Sequence, residues 1–291
     1  MAGGGGGRSR VQAGAPGSDA GPGGGRAGAG GKRGGGKGRD RKERRRAEAA
    51  AAIAVEGRVR AARDGLDAAQ ALAPFARFRR AGGQGEPLRL EFGLDWAGLG
   101  GAGAQGEVTE LLETNMAVHY GDGWDAQRAQ KAAESRDAEA RYITVRDGTA
   151  GSLVGFLHYR FLVEEGVDVV YVYELQVGVG ARGQGVGKLL MMCAELLARK
   201  AGLQGVMLTV HKHNTAAVGF YAKLKYVPAW IDPTAMSPLD ADEYDYRILC
   251  KLWGETGSAK APPKKALGAS NTLAAQEKLH RKHNCTYAST F

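Results

Sequence analysis

The sequence predicts an α/β domain in which helices flank a mixed, mostly antiparallel sheet. The first observation is the order of elements that the apolar pattern indicates: β, α, α, β, β, β, α, β, α, β, β. Strands that follow one another directly, instead of alternating with helices, favour antiparallel pairing. The second is a glycine-rich stretch, QVGVGARGQGVGK (residues 176–188), which joins a central strand to an apolar helix.

The two ends of the chain differ in composition from its middle. Eighteen of the first 40 residues are glycine. Residues 1–38 are therefore predicted to be a disordered basic head, because they bury too little apolar surface to offset the entropy of ordering. Residues 39–82, rich in Ala, Arg and Glu, are predicted to form a basic helical segment that packs on the domain. The domain itself is expected over residues 83–253, with a flexible tail over residues 254–291.

The formal net charge of +9 arises from the head. Residues 1–46 hold 12 basic and three acidic residues, whereas residues 47–253 hold 22 basic and 26 acidic ones. The mildly acidic middle favours a basic partner over nucleic acid. The run KGRDRKERRR (residues 37–46) fits either a solvated helix or a nuclear-localisation, ribosome- or nucleosome-contact segment.

Cysteine, histidine and apolar patterns exclude several classes of protein. Cys193, Cys250 and Cys285 stand far apart, and the histidines offer no second ligand set, so we expect a reducing compartment and no metal. No apolar run reaches the length of a membrane helix, so no membrane contact is expected. We expect a monomer in the cytoplasm and nucleus, although the acid-poor start leaves an organellar transit peptide open.

Local patterns predict the elements before the glycine loop. Leu88, Leu90 and Phe92 alternate with polar residues, which predicts a strand over 86–96. Two helices follow, over 106–120 and 125–140. Residues 141–147 and 151–166 are predicted strands joined by a turn at Asp147-Gly148, and residues 167–179 form a long strand of β-branched and aromatic residues.

The second half of the domain begins with a helix over 186–202, which Gly202 closes. A strand over 205–214 comes next. Asn214 is a favourable N-cap for a helix over 214–225. Residues 226–231 and 242–252 are predicted to be the last two strands.

The glycine loop fits two known phosphate-binding patterns poorly. In the nucleotide triphosphate pattern G-x-x-x-x-G-K-[S/T], Arg182 replaces the first glycine and Leu189 replaces the hydroxyl residue. Gly178, Gly180 and Gly183 satisfy the dinucleotide pattern G-x-G-x-x-G. The next strand, however, ends without the acid that binds a ribose, and no β-α-β units precede the loop.

A third pattern, R-x-x-G-x-G, fits with Arg182, Gly185 and Gly187. Backbone N–H groups at a helix N-terminus attract phosphates, and glycines let a pyrophosphate approach closely. Together with N-x-x-A-x-x-x-Y-x-x-x-x-[F/Y] over residues 214–226, this pattern resembles the acetyl-CoA-binding acetyltransferases of the GNAT superfamily. Lys225 stands where glycine is usual in that superfamily.

The resemblance implies the GNAT acyl-CoA N-acyltransferase fold and acetyl-CoA as co-substrate. Tyr221 stands where many members carry an acid that protonates the departing thiolate, although a structural role is the favoured interpretation. The coenzyme-binding residues that the resemblance implies are Leu175, Gln176, Val177, Arg182, Gly183, Gln184, Gly185, Val186, Gly187, Lys188, Asn214 and Tyr221.

Longer strings resemble the N-terminal acetyltransferase D family. They are ETNMAVHY (113–120), VYVYELQV (170–177), VMLTVHKHN (206–214) and YDYRIL (244–249), in that order within residues 37–252. This family acetylates the α-amino group of histone four and histone two-A tails that begin Ser-Gly-Arg-Gly. The peptide-site residues that the resemblance implies are Tyr120, Tyr171, Tyr173, Thr209 and Tyr246.

One peptide-binding residue of that family is absent. Leu162 stands where the family has an aspartate that binds the second or third residue of the tail. Glu164 and Glu165 are the nearest acids that could supply the charge. Specificity for arginine at the third position depends on whether either reaches the site.

Glu174 is the candidate general base, with Tyr173 as a second candidate catalytic residue. A terminal amine is mostly protonated near neutral pH and must lose a proton before it attacks a thioester. An acid is unusual within an apolar strand such as YVYELQV, and this favours a functional role for Glu174. The structural alternative is that Glu174 is an acid at the edge of a strand among core tyrosines. The alternation of a strand puts Tyr171 and Tyr173 on one face and Glu174 on the other.

A β-bulge near Glu174 would bring it into the same cleft as these tyrosines. The bulge would also splay the neighbouring strand, so that the coenzyme pairs with the backbone of residues 175–177. Direct transfer is expected, because Cys193 lies in the helix after the loop and no Cys–His pair is visible. Two other functions remain open: an acetyltransferase of lysine side chains or small amines, and a non-catalytic adaptor that binds the coenzyme or a nucleosome.

Overall fold

The computed structural model describes residues 35–79, 87–93, 96–236, 238 and 241–253. The chain divides into two compact units, Met1–Arg46 and Ala47–Phe291. The predicted head and tail lie outside the described residues, except for residues 35–38, which belong to helix α1 (Gly35–Gly65). The helix-forming Ala, Arg and Glu residues that follow extend the helix into the glycine-rich segment, because elongation of a helix costs less than its nucleation.

The elements follow the predicted order, with short additions. The helices after α1 are α2 (Ala68–Ala71), α3 (Ala102–Tyr120), α4 (Trp124–Ser135), α5 (Val186–Lys200), α6 (Thr215–Lys223) and α7 (Pro233–Met236). The strands are β1 (Arg77–Phe78), β2 (Leu88–Gly93), β3 (Arg141–Arg146), β4 (Leu153–Glu164), β5 (Val167–Val177), β6 (Gly205–His211), β7 (Val227–Pro228) and β8 (Tyr246–Leu252).

Capping residues end and begin the helices around β6 as predicted. Gly202 adopts φ +69° directly after α5, and the N–H of Leu203 donates to the carbonyl of Ala198 at 2.9 Å. The side chain of Asn214 accepts from the N–H of Ala217 at 3.1 Å and so caps α6.

Among the described residues the strands form one sheet in the order β1-β2-β3-β4-β5-β6-β8-β7. In this part of the chain β5 and β6 pair in parallel, and the other neighbouring strands of the sheet pair antiparallel. The predicted mixed, mostly antiparallel sheet is therefore confirmed.

The last two predicted strands are several residues longer than the observed ones. The strand expected over 226–231 is only Val227–Pro228, because the chain turns where the N–H of Asp232 donates to the carbonyl of Ala229. The strand expected over 242–252 begins at Tyr246, after a 3₁₀ turn over Ala241–Glu243.

The two largest hydrophobic clusters among the described residues lie on the faces of the sheet. The larger one joins α5, with Leu190, to the part of α1 that carries Val59 and Ala62, which are 1% and 4% exposed. The second contains Met116 of α3 together with Tyr171 of β5 and Ile248 of β8. Alternate residues of the central strands fill one cluster or the other, as a period of two requires.

No helix in the described ranges is long and apolar enough to cross a membrane. Within the same ranges, no group of three or more His, Cys, Asp or Glu side chains is arranged to hold a metal ion.

Candidate active site

A bulge and an opening interrupt the centre of the sheet. On the β4 side, His158 pairs with Glu174 and Tyr159 with Val172, so Tyr173 is the extra residue of β5. On the other side, the pairing of β5 with β6 ends at Val172 and Leu208, although both strands continue. The bulge that the sequence predicts near Glu174 is confirmed, and the two strands part at the same level.

The glycine loop lies directly beyond this opening. After β5 the chain makes a 3₁₀ turn over Val179–Ala181, and Gly183 and Gly185 then adopt φ values of +73° and +87°. These values favour glycine because an L side chain is strained there. Gly185 caps α5, whose first N–H groups have no acceptor within the helix. The loop therefore ends in a cluster of N–H donors, the arrangement that binds phosphate.

The structure brings together most of the residues that the resemblance assigns to the coenzyme. Gly183 to Lys188 form the loop and first turn of α5, with Lys188 exposed, while Leu175 to Val177 end β5 beside the opening. Asn214 lies at the start of α6, where its side-chain oxygen caps the helix. Tyr221 is fully buried against the rings of Phe220 and Tyr226 in the larger cluster, as expected of a structural aromatic residue.

Arg182 points away from the loop in this structure. Its Nε donates to the carbonyl of Val177 at 3.2 Å, and its Nη2 donates to Oδ1 of Asn115 at 2.8 Å. Burial lowers the pKa of the guanidinium. The loop arginine is thus held by β5 and α3.

Glu174 is a buried acid with two polar neighbours. It is 3% exposed. Its Oε2 accepts from Nε2 of Gln176 at 2.9 Å, and its Oε1 lies 2.5 Å from Nζ of Lys131 in α4. Burial raises the pKa of Glu174, whereas the charge and hydrogen bond of Lys131 act in the opposite direction.

A cavity of about 230 Å³ reaches Glu174 beneath α3 and α4. Its walls include Leu112, Lys131, Tyr142, Phe156 and His158. His158 is 2% exposed, and its Nε2 has no hydrogen-bond partner within the described residues. Burial, followed by the charges of Arg160 and Lys131, lowers the pKa of His158 well below its ordinary value, so the imidazole is neutral at pH 7.

Aromatic rings continue from this cavity across three strands. The ring centroids of Tyr142 and His158 lie 4.9 Å apart, those of His158 and Tyr173 5.0 Å apart, and those of Tyr173 and Tyr171 5.4 Å apart. The guanidinium of Arg160 lies 4.2 Å from the centre of the Tyr173 ring. Burial raises the pKa of Tyr173 to about 12, so its phenol stays protonated and can donate a hydrogen bond.

The remaining residues of the predicted peptide site lie on the same face of the sheet. The hydroxyl groups of Tyr171 and Thr209 are 2.6 Å apart, and both residues are buried. Tyr246 is also buried and packs in the second cluster with Tyr171. The ring of Tyr120, at the end of α3, lies 5.4 Å from that of His211.

The two acids near Leu162 occupy different environments. Glu164 is fully buried, and its charge contributes to raising the pKa of Tyr171. Glu165 is exposed in the turn between β4 and β5, with φ +46°. Glu164 is therefore the acid that lies near the tyrosines.

Sequence reasoning missed three residues around Glu174: Asn115, Lys131 and His158. Lys131 appears as a polar residue of an ordinary helix, and its burial depends on the packing of α4 over β5. Asn115 lies within a string that the resemblance singled out, but no role was assigned to it. The one available signal for His158 was a histidine within the otherwise apolar stretch GFLHYRF.

A parallel strand pair that parts at a bulge, followed by a glycine loop and a helix N-terminus, defines a domain of the GNAT fold. Residues 107–226 match the Acetyltransferase (GNAT) family. The matched region extends from α3 through the loop to the end of the turn after α6.

Two similar proteins are both named mycothiol acetyltransferase. The one from Nocardia farcinica is 33% identical over 129 residues, which are 42% of this chain and 43% of the relative. The one from Streptomyces avermitilis is 35% identical over 97 residues, which are 33% of this chain and 30% of the relative. The chain thus spans less than half the length of either relative.

Among solved structures, the chain is similar to PaiA N-acetyltransferase from Thermoplasma acidophilum in complex with coenzyme A. That similarity has a TM-score of 0.39 at 12% identity and covers 57% of this chain and 99% of the other.

Proposed function

We propose that the protein transfers an acetyl group from acetyl-CoA to the α-amino group of a protein N-terminus. The observation that carries this proposal is the bulge at Tyr173, which turns Glu174 to the same face as Tyr171 beside the β5–β6 opening. The glycine loop that follows supplies N–H donors for the coenzyme diphosphate. Because β5 and β6 part at this level, the backbone of residues 175–177 can pair with the pantetheine chain of the coenzyme.

In the proposed reaction, Glu174 accepts a proton from the substrate ammonium, directly or through a water. The neutral amine then attacks the thioester carbonyl, a C–N bond forms, and the C–S bond breaks. The proton that the acylated nitrogen loses passes to the departing sulfur, directly or through a water, so that coenzyme A leaves as the thiol. Tyr173 remains protonated beside this site and can donate a hydrogen bond. The pKa of Cys193 is raised by burial to about 12, which supports direct transfer without a cysteine nucleophile.

The proposed substrates are the tails of histone four and histone two-A, which begin Ser-Gly-Arg-Gly. Support comes from the resemblance of the peptide-site strings, from the acidic balance of residues 47–253, and from Glu164 near Tyr171. We further propose that the protein is a monomer of the cytoplasm and nucleus. In this proposal the basic segment contacts a ribosome or a nucleosome.

A small amine is the second candidate substrate. The cavity next to Glu174 is only about 230 Å³ in volume, and two similar proteins are named mycothiol acetyltransferases. A lysine side chain would instead require an open groove. A non-catalytic adaptor would bind acetyl-CoA or a nucleosome and form no product.

The test is incubation of the purified protein with acetyl-CoA and a panel of acceptors, followed by mass spectrometry. The panel contains the Ser-Gly-Arg-Gly peptide, the same peptide blocked at its N-terminus, a lysine peptide and a small primary amine. We expect acetyl on the free N-terminal amine and none on the blocked peptide. Product on the blocked peptide or on the small amine alone would overturn the assignment.

A further inference from the structure

A series of hydrogen-bonded side chains joins the glycine loop to the candidate base. Arg182, in the loop, donates to Oδ1 of Asn115 in α3 at 2.8 Å. Nδ2 of Asn115 donates to Oε1 of Gln176 at 3.1 Å, and Nε2 of Gln176 donates to Oε2 of Glu174 at 2.9 Å. Asn115 and Gln176 are 2% and 0% exposed, so water cannot readily replace these bonds.

The donor and acceptor atoms of these side chains fix the direction in which each hydrogen bond is donated. A guanidinium has donors and no acceptor, so Asn115 turns its oxygen toward Arg182 and its NH₂ toward Gln176. Gln176 must then accept at its oxygen, and its NH₂ faces Glu174. The carbonyl of Val177 supports this orientation, because it accepts from both Arg182 Nε and Asn115 Nδ2 at 3.2 Å.

This series of hydrogen bonds ends at Glu174 and affects the ionisation of its carboxyl group. A donor aimed at one carboxylate oxygen stabilises the ionised form, which is the form that can accept a proton. The other oxygen is directed to Lys131 and to the cavity. The groups that face Glu174 or its cavity are Gln176 on its own strand, His158 on β4, Tyr142 on β3, and Lys131 on α4, which also lies 3.6 Å from Glu134 of the same helix.

We propose that Asn115 is a positioning residue of the active site. Its oxygen accepts from Arg182, so its NH₂ donates to Gln176, and the NH₂ of Gln176 is in turn directed at Glu174. This arrangement holds Glu174 ionised with one oxygen facing the cavity. In this arrangement Arg182 orients Asn115 and does not bind the phosphates of the coenzyme. This role rests on the proposed function of Glu174 as base, but the side-chain network can be tested independently of activity.

The test variant is Asn115→Asp, which keeps the size of the side chain and its bond to Arg182 but removes the donor to Gln176. Gln176 is expected to reverse its amide and turn its oxygen toward Glu174, a clash that protonation of Glu174 relieves. Thr114→Asp is the control, because it adds the same charge at an exposed neighbouring position of α3. Asn115→Ser, which is smaller, replaces the first variant if that variant does not fold.

The readout is the titration of Glu174 by NMR in protein that carries ¹³C-carboxyl glutamate, with the resonance assigned by its loss in Glu174→Gln. We expect the midpoint in Asn115→Asp to rise by about one pH unit or more above that of the wild type and of Thr114→Asp. Equal midpoints in the three proteins would overturn the proposal. A wild type that neither binds acetyl-CoA nor forms product would defeat the proposed function and leave the titration result standing.

The kinetic counterpart is the dependence of kcat/KM on pH. Asn115→Asp should lose activity mainly at low pH, recover at high pH, and keep its affinity for acetyl-CoA within about threefold of the wild type. A merely structural role would lower the rate by the same factor at every pH, and that result would contradict the proposal.

Discussion

At the scale of single residues, the state of Glu174 results from opposing effects. Burial raises its pKa, while Lys131 and Gln176 stabilise the carboxylate. Burial is the larger effect, so the pKa of this carboxyl beside the opening is raised above its ordinary value. This balance makes Glu174 and Lys131 the most informative positions for substitution.

Glu174→Gln should abolish proton transfer and keep the coenzyme site. We expect kcat to fall by about 100-fold or more, while the affinity for acetyl-CoA measured by calorimetry is unchanged. Glu110→Gln, at an exposed position of α3, is the control for loss of one negative charge. Unchanged turnover in Glu174→Gln would remove Glu174 as the base.

Lys131→Met should shift the pH dependence of the reaction. A protonated carboxyl cannot accept a proton, so kcat/KM falls as the pH drops through the pKa of Glu174. Loss of the Lys131 ammonium removes the cation that opposes the raised pKa, and the acidic limb should therefore move to higher pH. A limb that stays in place, or that moves to lower pH, would contradict this account.

The same variant should also lose stability, because it leaves the buried carboxylate of Glu174 without a cationic partner. The expected cost in the free energy of unfolding near neutral pH is about 3 kcal/mol. Denaturant unfolding of Lys131→Met and of the double variant Lys131→Met/Glu174→Gln measures it. The double variant should recover part of the loss, and strictly additive losses would show that the two side chains are not coupled.

At the scale of elements, the start of α5 depends on the backbone of Gly185. Gly185→Ala places a side chain at φ +87°, with Phe78 3.6 Å from the new Cβ. We expect a loss of about 1–2 kcal/mol in the free energy of unfolding, together with weaker binding of acetyl-CoA. Gly180→Ala is the matched control in the same loop, because its φ is not positive and nothing lies within 4 Å of the added atom. Equal behaviour of the two variants would contradict a special role for Gly185.

Local chemistry explains why the loop elements could be predicted and the polar contacts could not. Glycines at positive φ, the cap at Asn214 and the closing Gly202 each act within a few residues of sequence. The bulge was expected as the feature that would bring Glu174 into the same cleft as Tyr171 and Tyr173. The bond from Arg182 to Asn115 joins residues 67 positions apart, and no local pattern records it.

At the scale of the whole molecule, part of α1 is integral to the domain. Val59 and Ala62 are buried in the larger cluster, and Nε of Arg58 donates to the fully buried Asp168 at 2.5 Å. The long-range order of the sheet was equally beyond local patterns. The last strand, β8, pairs between β6 and β7, whereas the sequence indicates only that a strand is present.

Truncation separates the two compact units. Deletion of residues 1–46 should change the free energy of unfolding by no more than about 0.5 kcal/mol. Deletion of residues 1–65 removes Val59 and Ala62 from the core and should cost about 2–5 kcal/mol. Chemical denaturation of both proteins measures this difference, and equal stabilities would show that α1 contributes nothing to the domain.

The measurement that tests the central claim most directly is a calorimetric titration of the protein with acetyl-CoA. We expect saturable binding of one coenzyme per chain, weakened in Gly185→Ala and retained in Glu174→Gln. The absence of saturable binding by the wild type, or equal binding by the wild type and Gly185→Ala, would contradict the claim that the glycine loop and the β5–β6 opening form the coenzyme site.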